Sequence, residues 1–494
     1  MNDITLINLN MLIVRYIDAI EKELHVVLGP LYLVSALEKA GFKVDFRDYQ
    51  ICEYEEPFSP ENLADFCKDS AEIIGISCMG NLLPFTILAA REIKKLYPSK
   101  TIVIGGVGPF SIEQKILERF PWIDIVAYGE GERSIVILME ALKNNGDLGK
   151  VPGIYYRING EIKRTDPCER INDLDSIPPP ALHHIDLKKY AGINIITSRG
   201  CPYGCTFCSV APIWGRKPFF RKPEKVVREM QMLHLDFGVN LFLFQDEFFV
   251  SSKERVMQFC QTLKKSGLKV MWKAFARINL TDTEVMKTMA EAGCVEIRYG
   301  IESGSNRILE RVKKGFTIEQ ATEVISEATL YFPRVDSFFI WGFPFEEMSD
   351  FYQTIFHMIS FRLIGSRILP SLFCMLPQTE IYREYNGKEH LEFYPDLFPE
   401  YMLTGHEICD YGKLQISQKH KFIFDFIEQN PDIFPGFFHI DLEKNILPKF
   451  EILKEHGFYP SKKSEVKETD SCGAHSPRIT REQAIGVITR PTKF

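Results

Sequence analysis

Three cysteines fall within eight residues of one another in the segment Ser198-Arg199-Gly200-Cys201-Pro202-Tyr203-Gly204-Cys205-Thr206-Phe207-Cys208. Their spacing is C-x3-C-x2-C, and Gly200 and Gly204 let so short a loop curl until three sulfurs face one centre. Thiolates are the ligands of zinc and of iron–sulfur clusters. A closed structural zinc site takes four protein ligands, and no fourth cysteine or histidine follows the loop at ligand spacing. His183 and His184, upstream, would have to reach the loop for the zinc reading to hold. Three cysteines on a cube of four irons leave one iron open, which suits catalysis better than electron storage. The other nine of the twelve cysteines are scattered without ligand spacing and read as small apolar fillers. Two of them stand apart. Cys374 lies near the end of an expected strand, where it could donate a hydrogen atom, and Cys472 lies near His475 in a polar tail.

Rigid elements must hold such a loop. From Ile193 to about Leu376, strand-like apolar runs alternate with helical patterns. The strands are expected at Asn194–Thr197, Leu241–Phe244, Val270–Ala274, Val295–Gly300, Val335–Ile340 and Ile368–Phe373. Six strands separated by helices suit a parallel TIM-type β/α barrel, complete or partial, with its active site at the strand C-termini. The cysteine loop follows the first of them.

An earlier series covers residues 1–145. Strands are expected at Ile4–Leu9, Val44–Phe46, Ile73–Ser77, Ile102–Ile104 and Asp124–Ala127, with helices after Gly29-Pro30 and from about Pro84 to Tyr97. This alternation argues a doubly wound, Rossmann-like sheet, so the fold class is α/β. Residues 146–190, polar and carrying Pro178-Pro179-Pro180, are expected to form a linker between this domain and a barrel over 191–384. Residues 385–460 read as a helical, aromatic extension whose phenylalanines pack its helices, and 461–494 as a disordered tail.

The bulk numbers exclude several classes. With 45% hydrophobic and 25% charged residues among 494, the chain is ordinary globular protein. A formal charge of −7 disfavours nucleic acid as a main partner. No basic region followed by an apolar run opens the chain, and the longest charge-free stretch, Ile73 to Ala90, is broken by Gly75, Gly80 and Pro84. A cytoplasmic protein without a transmembrane segment is expected.

The cysteine loop, with Thr197-Ser198-Arg199-Gly200-Cys201-Pro202, Cys208-Ser209-Val210, Trp214-Gly215-Arg216 and Arg221-Lys222-Pro223-Glu224, resembles the radical S-adenosylmethionine superfamily. It is most similar to the branch with a cobalamin-binding domain, which includes methylases of unactivated carbon and the anaerobic magnesium-protoporphyrin ester cyclases. The resemblance extends over about residues 1–380. It implies a [4Fe–4S] cluster on Cys201, Cys205 and Cys208 whose open iron chelates S-adenosylmethionine, and one-electron cleavage to a 5′-deoxyadenosyl radical. Of the acidic pair usual at the end of the second barrel strand, Asp246 and Glu247 match while Gln245 departs. Arg277 would pair with the carboxylate of S-adenosylmethionine, unless it makes a surface ion pair. Glu302 would accept the ribose hydroxyls, unless it caps a helix. Gly342 and Pro344 would form the adenine-side turn, and Pro377-Gln378-Thr379 resembles a Pro-Gly-Thr turn with its glycine replaced.

In residues 1–145 the matching phrases are Leu28-Gly29-Pro30-Leu31-Tyr32-Leu33, Ile74-Gly75-Ile76-Ser77, Gly105-Gly106 and Tyr128-Gly129-Glu130-Gly131-Glu132. The resemblance makes Gly105, Gly106, Gly129 and Glu130 cobalamin contacts; the alternative is a degenerate domain that binds nothing. Many cobalamin proteins ligate cobalt through D-x-H-x-x-G. Here Glu23-Leu24-His25-Val26-Val27-Leu28-Gly29 misplaces the glycine, and Gly108 stands where related chains often have histidine. Cobalamin without a histidine ligand is therefore expected. The leading reading is a cobalamin-dependent radical methylase of an unactivated carbon. The alternatives are a radical cyclase or rearranging enzyme and a non-catalytic cobalamin or S-adenosylmethionine sensor. The expected partners are a small-molecule, lipid or tetrapyrrole substrate and a one-electron reductant such as flavodoxin or ferredoxin.

Overall fold

A computed structural model describes residues 2–9, 26–190, 193–399, 402 and 421–459. The first domain is built on parallel strands β1 (Ile4–Asn8), β2 (Val44–Asp48), β3 (Ile73–Ser77), β4 (Thr101–Gly105) and β5 (Ile125–Ala127). Ile74, Ile76, Ile102 and Ile104 are almost wholly buried, as β-branched residues are in a sheet covered on both faces. The order is β2-β1-β3-β4-β5, so the winding reverses between β1 and β3. A doubly wound sheet binds ligands beyond its strand C-termini at that reversal.

The first half of the expected linker is not a linker. Strands β6 (Ile154–Ile158) and β7 (Glu161–Arg164) pair antiparallel and extend the first sheet beyond β5. Asn159 and Gly160 turn the hairpin with φ of +51° and +81°, the left-handed pair that matches strand twist. The second half packs as well. Ser35 donates to the Pro179 carbonyl, and the Ala181 N–H to that of Leu31, so the proline run is laid along the helix Leu28–Lys39.

The second sheet is wholly parallel. Its strands are β8 (Ile193–Ile195), β11 (Leu241–Phe244), β12 (Met271–Ala276), β13 (Cys294–Glu302), β14 (Arg334–Trp341) and β15 (Arg367–Leu372), paired in that order. Every expected strand is present. β8 and β15 do not pair with each other, so the barrel is partial and open. A two-residue antiparallel pair, β9 (Ser198–Arg199) with β10 (Phe219–Phe220), frames the cysteine loop. Phe244, Phe249, Phe259 and Trp272 interlock beneath the sheet with ring centroids 4.9–5.6 Å apart. Burying each such side chain contributes about 1.5–3 kcal/mol.

The C-terminal extension is less helical than expected. Besides the helices Lys421–Glu428 and Leu447–Glu455, it contains an antiparallel pair, β16 (Leu391–Phe393) with β17 (Phe438–Ile440). Its phenylalanines do pack, but into both domains. Phe398, Phe434 and Phe437 join the core of the first sheet, and Phe450 and Tyr459 that of the second. Among the described residues no helix is long and apolar enough to cross a membrane. His25, Cys409, Cys472 and the segment 461–494 lie outside the described residues.

Candidate active site

The cysteine loop sits at the C-terminal end of β8, reached through β9. Gly200 has φ +99°, and a Cβ there would meet the Lys217 carbonyl at 3.2 Å and Arg170 at 3.3 Å, so only glycine takes this turn. The loop is tied down by Thr206, whose N–H donates to the Val312 carbonyl and whose carbonyl accepts from Ile381. All three thiols are free and partly exposed. The Val210 N–H points at the Cys208 sulfur from 3.5 Å, and Arg277 approaches that of Cys205 at 3.8 Å. Burial pushes the Cys208 thiol up to about 12 and raises Cys201, with neighbouring sulfurs adding to both. Three thiolates therefore need a strong cationic centre to hold them together.

The donor set fits an iron–sulfur cluster better than zinc. A closed zinc site takes four protein ligands, and the loop offers three free thiols. His183 and His184 do not join them. Both bring Nε2 to Glu38, at 3.3 and 2.8 Å, and fasten the linker to the first domain.

Around the loop, the strand ends divide into braces and open groups. Asp246 is fully buried. It accepts from the Thr197 N–H at 2.8 Å and the Ser198 hydroxyl at 2.7 Å, so it braces the turn into the cysteine loop. Burial raises its carboxyl to about 6, against those hydrogen bonds and Arg255. Glu247 is reached by solvent but ringed by protein atoms. Desolvation and the Asp246 charge push it up to about 7, opposed by Arg199 and the Gly200 N–H. Arg277 stacks 3.6 Å from the Tyr203 ring centroid and donates to the Lys314 carbonyl.

Glu302 ends β13 with φ +74°, a conformation costing a non-glycine residue about 1–3 kcal/mol. Its carboxylate folds back over Gly300, where a Cβ would lie 2.4 Å from Oε1, and meets Lys314 at 2.9 Å. Both partners are nearly buried. Lys314 was not legible as a site residue: Lys313-Lys314-Gly315 reads as an exposed basic turn, and only the fold buries its second lysine beside Phe207 and Cys208.

Gly342 is less open than an adenine-facing turn would be. Its N–H donates to Glu346, its carbonyl accepts from Asn445, and a Cβ would meet Ile446 at 2.8 Å. The C-terminal extension thus covers it, through a wholly buried Glu346–Lys449 ion pair at 2.7 Å, while Pro344 stays partly exposed. Cys374 is turned onto the Gly436 carbonyl of the same extension, at 3.6 Å.

At the crest of the first sheet the side chains give way to backbone. Gly105 ends β4, and Gly106 follows with φ +91°. A Cβ on Gly106 would lie 2.6 Å from the Cys78 carbonyl, and one on Gly108 2.8 Å from that of Met79. This turn lies flat on the end of β3 as a low shelf, and a histidine at 108 has no room. Gly129, φ +80°, is open to space. Glu130, expected to contact cobalamin, is instead buried. It receives the Ile171 N–H and pairs with Arg199 at 3.2 Å, and Glu132 pairs with Arg199 at 2.5 Å. Gly131 is there for packing, because a Cβ would come within 2.8 Å of Leu33.

Comparison with known proteins matches these two crests to two families. Residues 195–358 match the Radical SAM superfamily model and residues 17–139 the B12 binding domain model. The chain belongs to the radical S-adenosylmethionine superfamily, in the branch that carries a cobalamin-binding domain. An uncharacterized methyltransferase of Pyrococcus horikoshii is 31% identical over 293 residues, covering 58% of this chain and 64% of the relative. An anaerobic magnesium-protoporphyrin IX monomethyl ester cyclase of Synechocystis is 29% identical over 339 residues, 67% of each chain. The solved structure of OxsB, a cobalamin-dependent S-adenosylmethionine radical enzyme, superposes with a TM-score of 0.61 at 24% identity, over 72% of this chain and 51% of that one, a likeness of fold. The chain thus spans about half to two thirds of these relatives. Its two domains bring a [4Fe–4S] cluster with S-adenosylmethionine and cobalamin as cofactors.

Proposed function

We propose that this chain is a cobalamin-dependent radical S-adenosylmethionine methyltransferase acting on an unactivated carbon. The observation that carries the reading is the meeting of two furnished crests. The cysteine loop of the open barrel is docked, through Arg199, against the first sheet, whose β4 end turns through Gly105, Gly106 and Gly108. When bound, the cofactors supply one-electron cleavage of a sulfonium and a transferable methyl group.

The chain's own residues position and shield. Cys201, Cys205 and Cys208 would hold the cluster, and Asp246 braces the turn ahead of them. Arg277, beside Cys205, would bind the carboxylate of S-adenosylmethionine, and Glu302, held by Lys314, would take the ribose hydroxyls. Glu247 is the open carboxyl at this mouth, raised from the ordinary carboxylate range by desolvation and by the neighbouring Asp246. Gly105, Gly106 and Gly129 would let the corrin approach the strand ends. Phe207 and Phe343, with ring centroids 6.0 Å apart, keep water from one side of the loop. A low-potential flavodoxin or ferredoxin would supply electrons in the cytoplasm.

The similarity to the magnesium-protoporphyrin ester cyclase supports a second reading, radical cyclisation. One anaerobic assay separates the two. A methyltransferase given substrate, reductant and S-adenosylmethionine releases 5′-deoxyadenosine and S-adenosylhomocysteine together. Release of 5′-deoxyadenosine alone would sink the methyltransferase reading in favour of cyclisation.

A further inference from the structure

Two phrases that resemble cobalamin motifs converge on a residue of the other domain. Arg199 lies two positions before Cys201 and is 5% exposed. Its guanidinium meets Glu130 and Glu132, whose side chains are 3% and 9% exposed. It lies over the ring of Tyr32 at 5.6 Å and that of Trp214 at 5.3 Å. Tyr32, Glu130 and Glu132 come from the first domain; Arg199 and Trp214 come from the second. The second oxygen of Glu130 receives the Ile171 N–H, and the Arg199 carbonyl accepts from Arg170 at 3.1 Å. Arg199 is therefore held by groups of both domains.

Burying three charges in one contact is an inefficient way to gain stability. The desolvation of each ion consumes most of the attraction, and apolar residues of similar volume usually serve better. What a planar guanidinium forked between two carboxylates does supply is geometry, which a lysine cannot copy. That geometry is passed on along the chain, since Arg199 of β9 is paired with Phe219 of β10 and followed by the narrow Gly200 turn and then Cys201.

We infer that Glu130 and Glu132 are positioning residues for the cluster loop: they orient Arg199, and through it Cys201, so that the loop is set for its cluster only when the cobalamin-binding domain is docked. The inference rests on the cluster reading of Cys201, Cys205 and Cys208, and goes beyond it by assigning the Gly129–Glu132 segment to the cluster rather than to cobalamin.

Two variants test it. Arg199→Lys keeps the buried charge but loses the fork; the triple variant R199M/E130Q/E132Q removes the three charges of the contact together. Three readouts are taken: alkylation of Cys201 in cluster-free protein, followed by mass spectrometry, the electron paramagnetic resonance spectrum of the reduced cluster with and without S-adenosylmethionine, and the melting temperature. Misplacement of about 1 Å can cost two orders of magnitude in a positioned reaction. We therefore expect Cys201 alkylation to rise about tenfold or more in both variants. The spectral response to S-adenosylmethionine should be lost, while the triple variant melts within a few degrees of the parent. A triple variant with parental alkylation and spectra would overturn the inference and leave a simple tie between domains. If the triple variant fails to fold, Arg199→Lys decides alone, and its parental behaviour would overturn the inference equally. Should the parent protein itself show no cluster signal, the cluster reading fails, whereas the alkylation ratio still reports whether Arg199 positions Cys201.

Discussion

The two crests that meet at the domain boundary are furnished in opposite ways. On the barrel side the chemistry is carried by side chains: three thiols, two raised carboxyls, a stacked arginine and a buried Glu302–Lys314 pair. On the first-domain side the β3–β4 crest is backbone, and the carboxylates of Glu130 and Glu132 are spent across the boundary. The contrast follows the ligands. A metal cluster needs donor atoms, whereas a broad macrocycle needs an unobstructed surface. A site of the first kind is readable from residue types at a spacing; one of the second kind is readable only from where side chains are missing.

The contrast breaks most completely at the cysteines. Replacing Cys201, Cys205 or Cys208 by alanine should remove the cluster and reduce 5′-deoxyadenosine formation to background, with cobalamin still bound. Iron analysis and product chromatography check this, and retained cleavage would refute the assignment.

Next is the Glu302–Lys314 pair. Lys314→Met leaves a carboxylate buried without its partner and should cost about 3–5 kcal/mol, read as a drop in the urea midpoint. The expected companion is weaker binding of S-adenosylmethionine, seen by calorimetry.

On the opposite crest Gly108→Ala presses a methyl into the Met79 backbone and should cost about 1–3 kcal/mol. Gly108→His should destabilise further and lower cobalamin affinity instead of adding a cobalt ligand. A nitrogen coupling from a labelled histidine in the cobalt(II) spectrum would contradict this.

The smallest effects concern pH. In the folded chain Glu247 holds its proton up to about 7, while the unfolded chain releases it near 4.5, so its ionisation subtracts stability as pH rises through that window. His439, buried against the Leu397 carbonyl, is pushed down to about 4, so stability is lost as pH falls from 6.5 toward 4. In cluster-free protein Glu247→Gln should flatten the urea-midpoint profile on the alkaline side and His439→Gln on the acid side. Unchanged profiles would show that neither group titrates as its surroundings imply.

Much of the fold was legible. The six barrel strands are apolar runs between amphipathic helices, and each appears within a few residues of its expected place. The β6–β7 hairpin falls inside the expected linker. Asn159-Gly160 between Ile158 and Glu161 is a strong hairpin signal, obscured by the polarity of the flanking strands. The cysteine loop was legible because its signal is local, three thiols at a fixed spacing. Lys314, Glu132 and Arg199 were not, because their roles depend on partners 12, 67 and 67 residues away that only the fold brings together. The pairing of Glu130 with Arg199 was hidden for the same reason: an acidic glycine-rich turn looks alike whether it meets a cofactor or an arginine.

The central claim is that one chain holds a side-chain site for iron beside a backbone site for cobalamin. Iron and cobalamin contents of the reconstituted parent and of the triple variant C201A/C205A/C208A measure it directly. The account predicts about four irons and one cobalamin per parent chain, and no iron with cobalamin retained in the variant. A variant that keeps its iron, or a parent that binds no cobalamin, would contradict it.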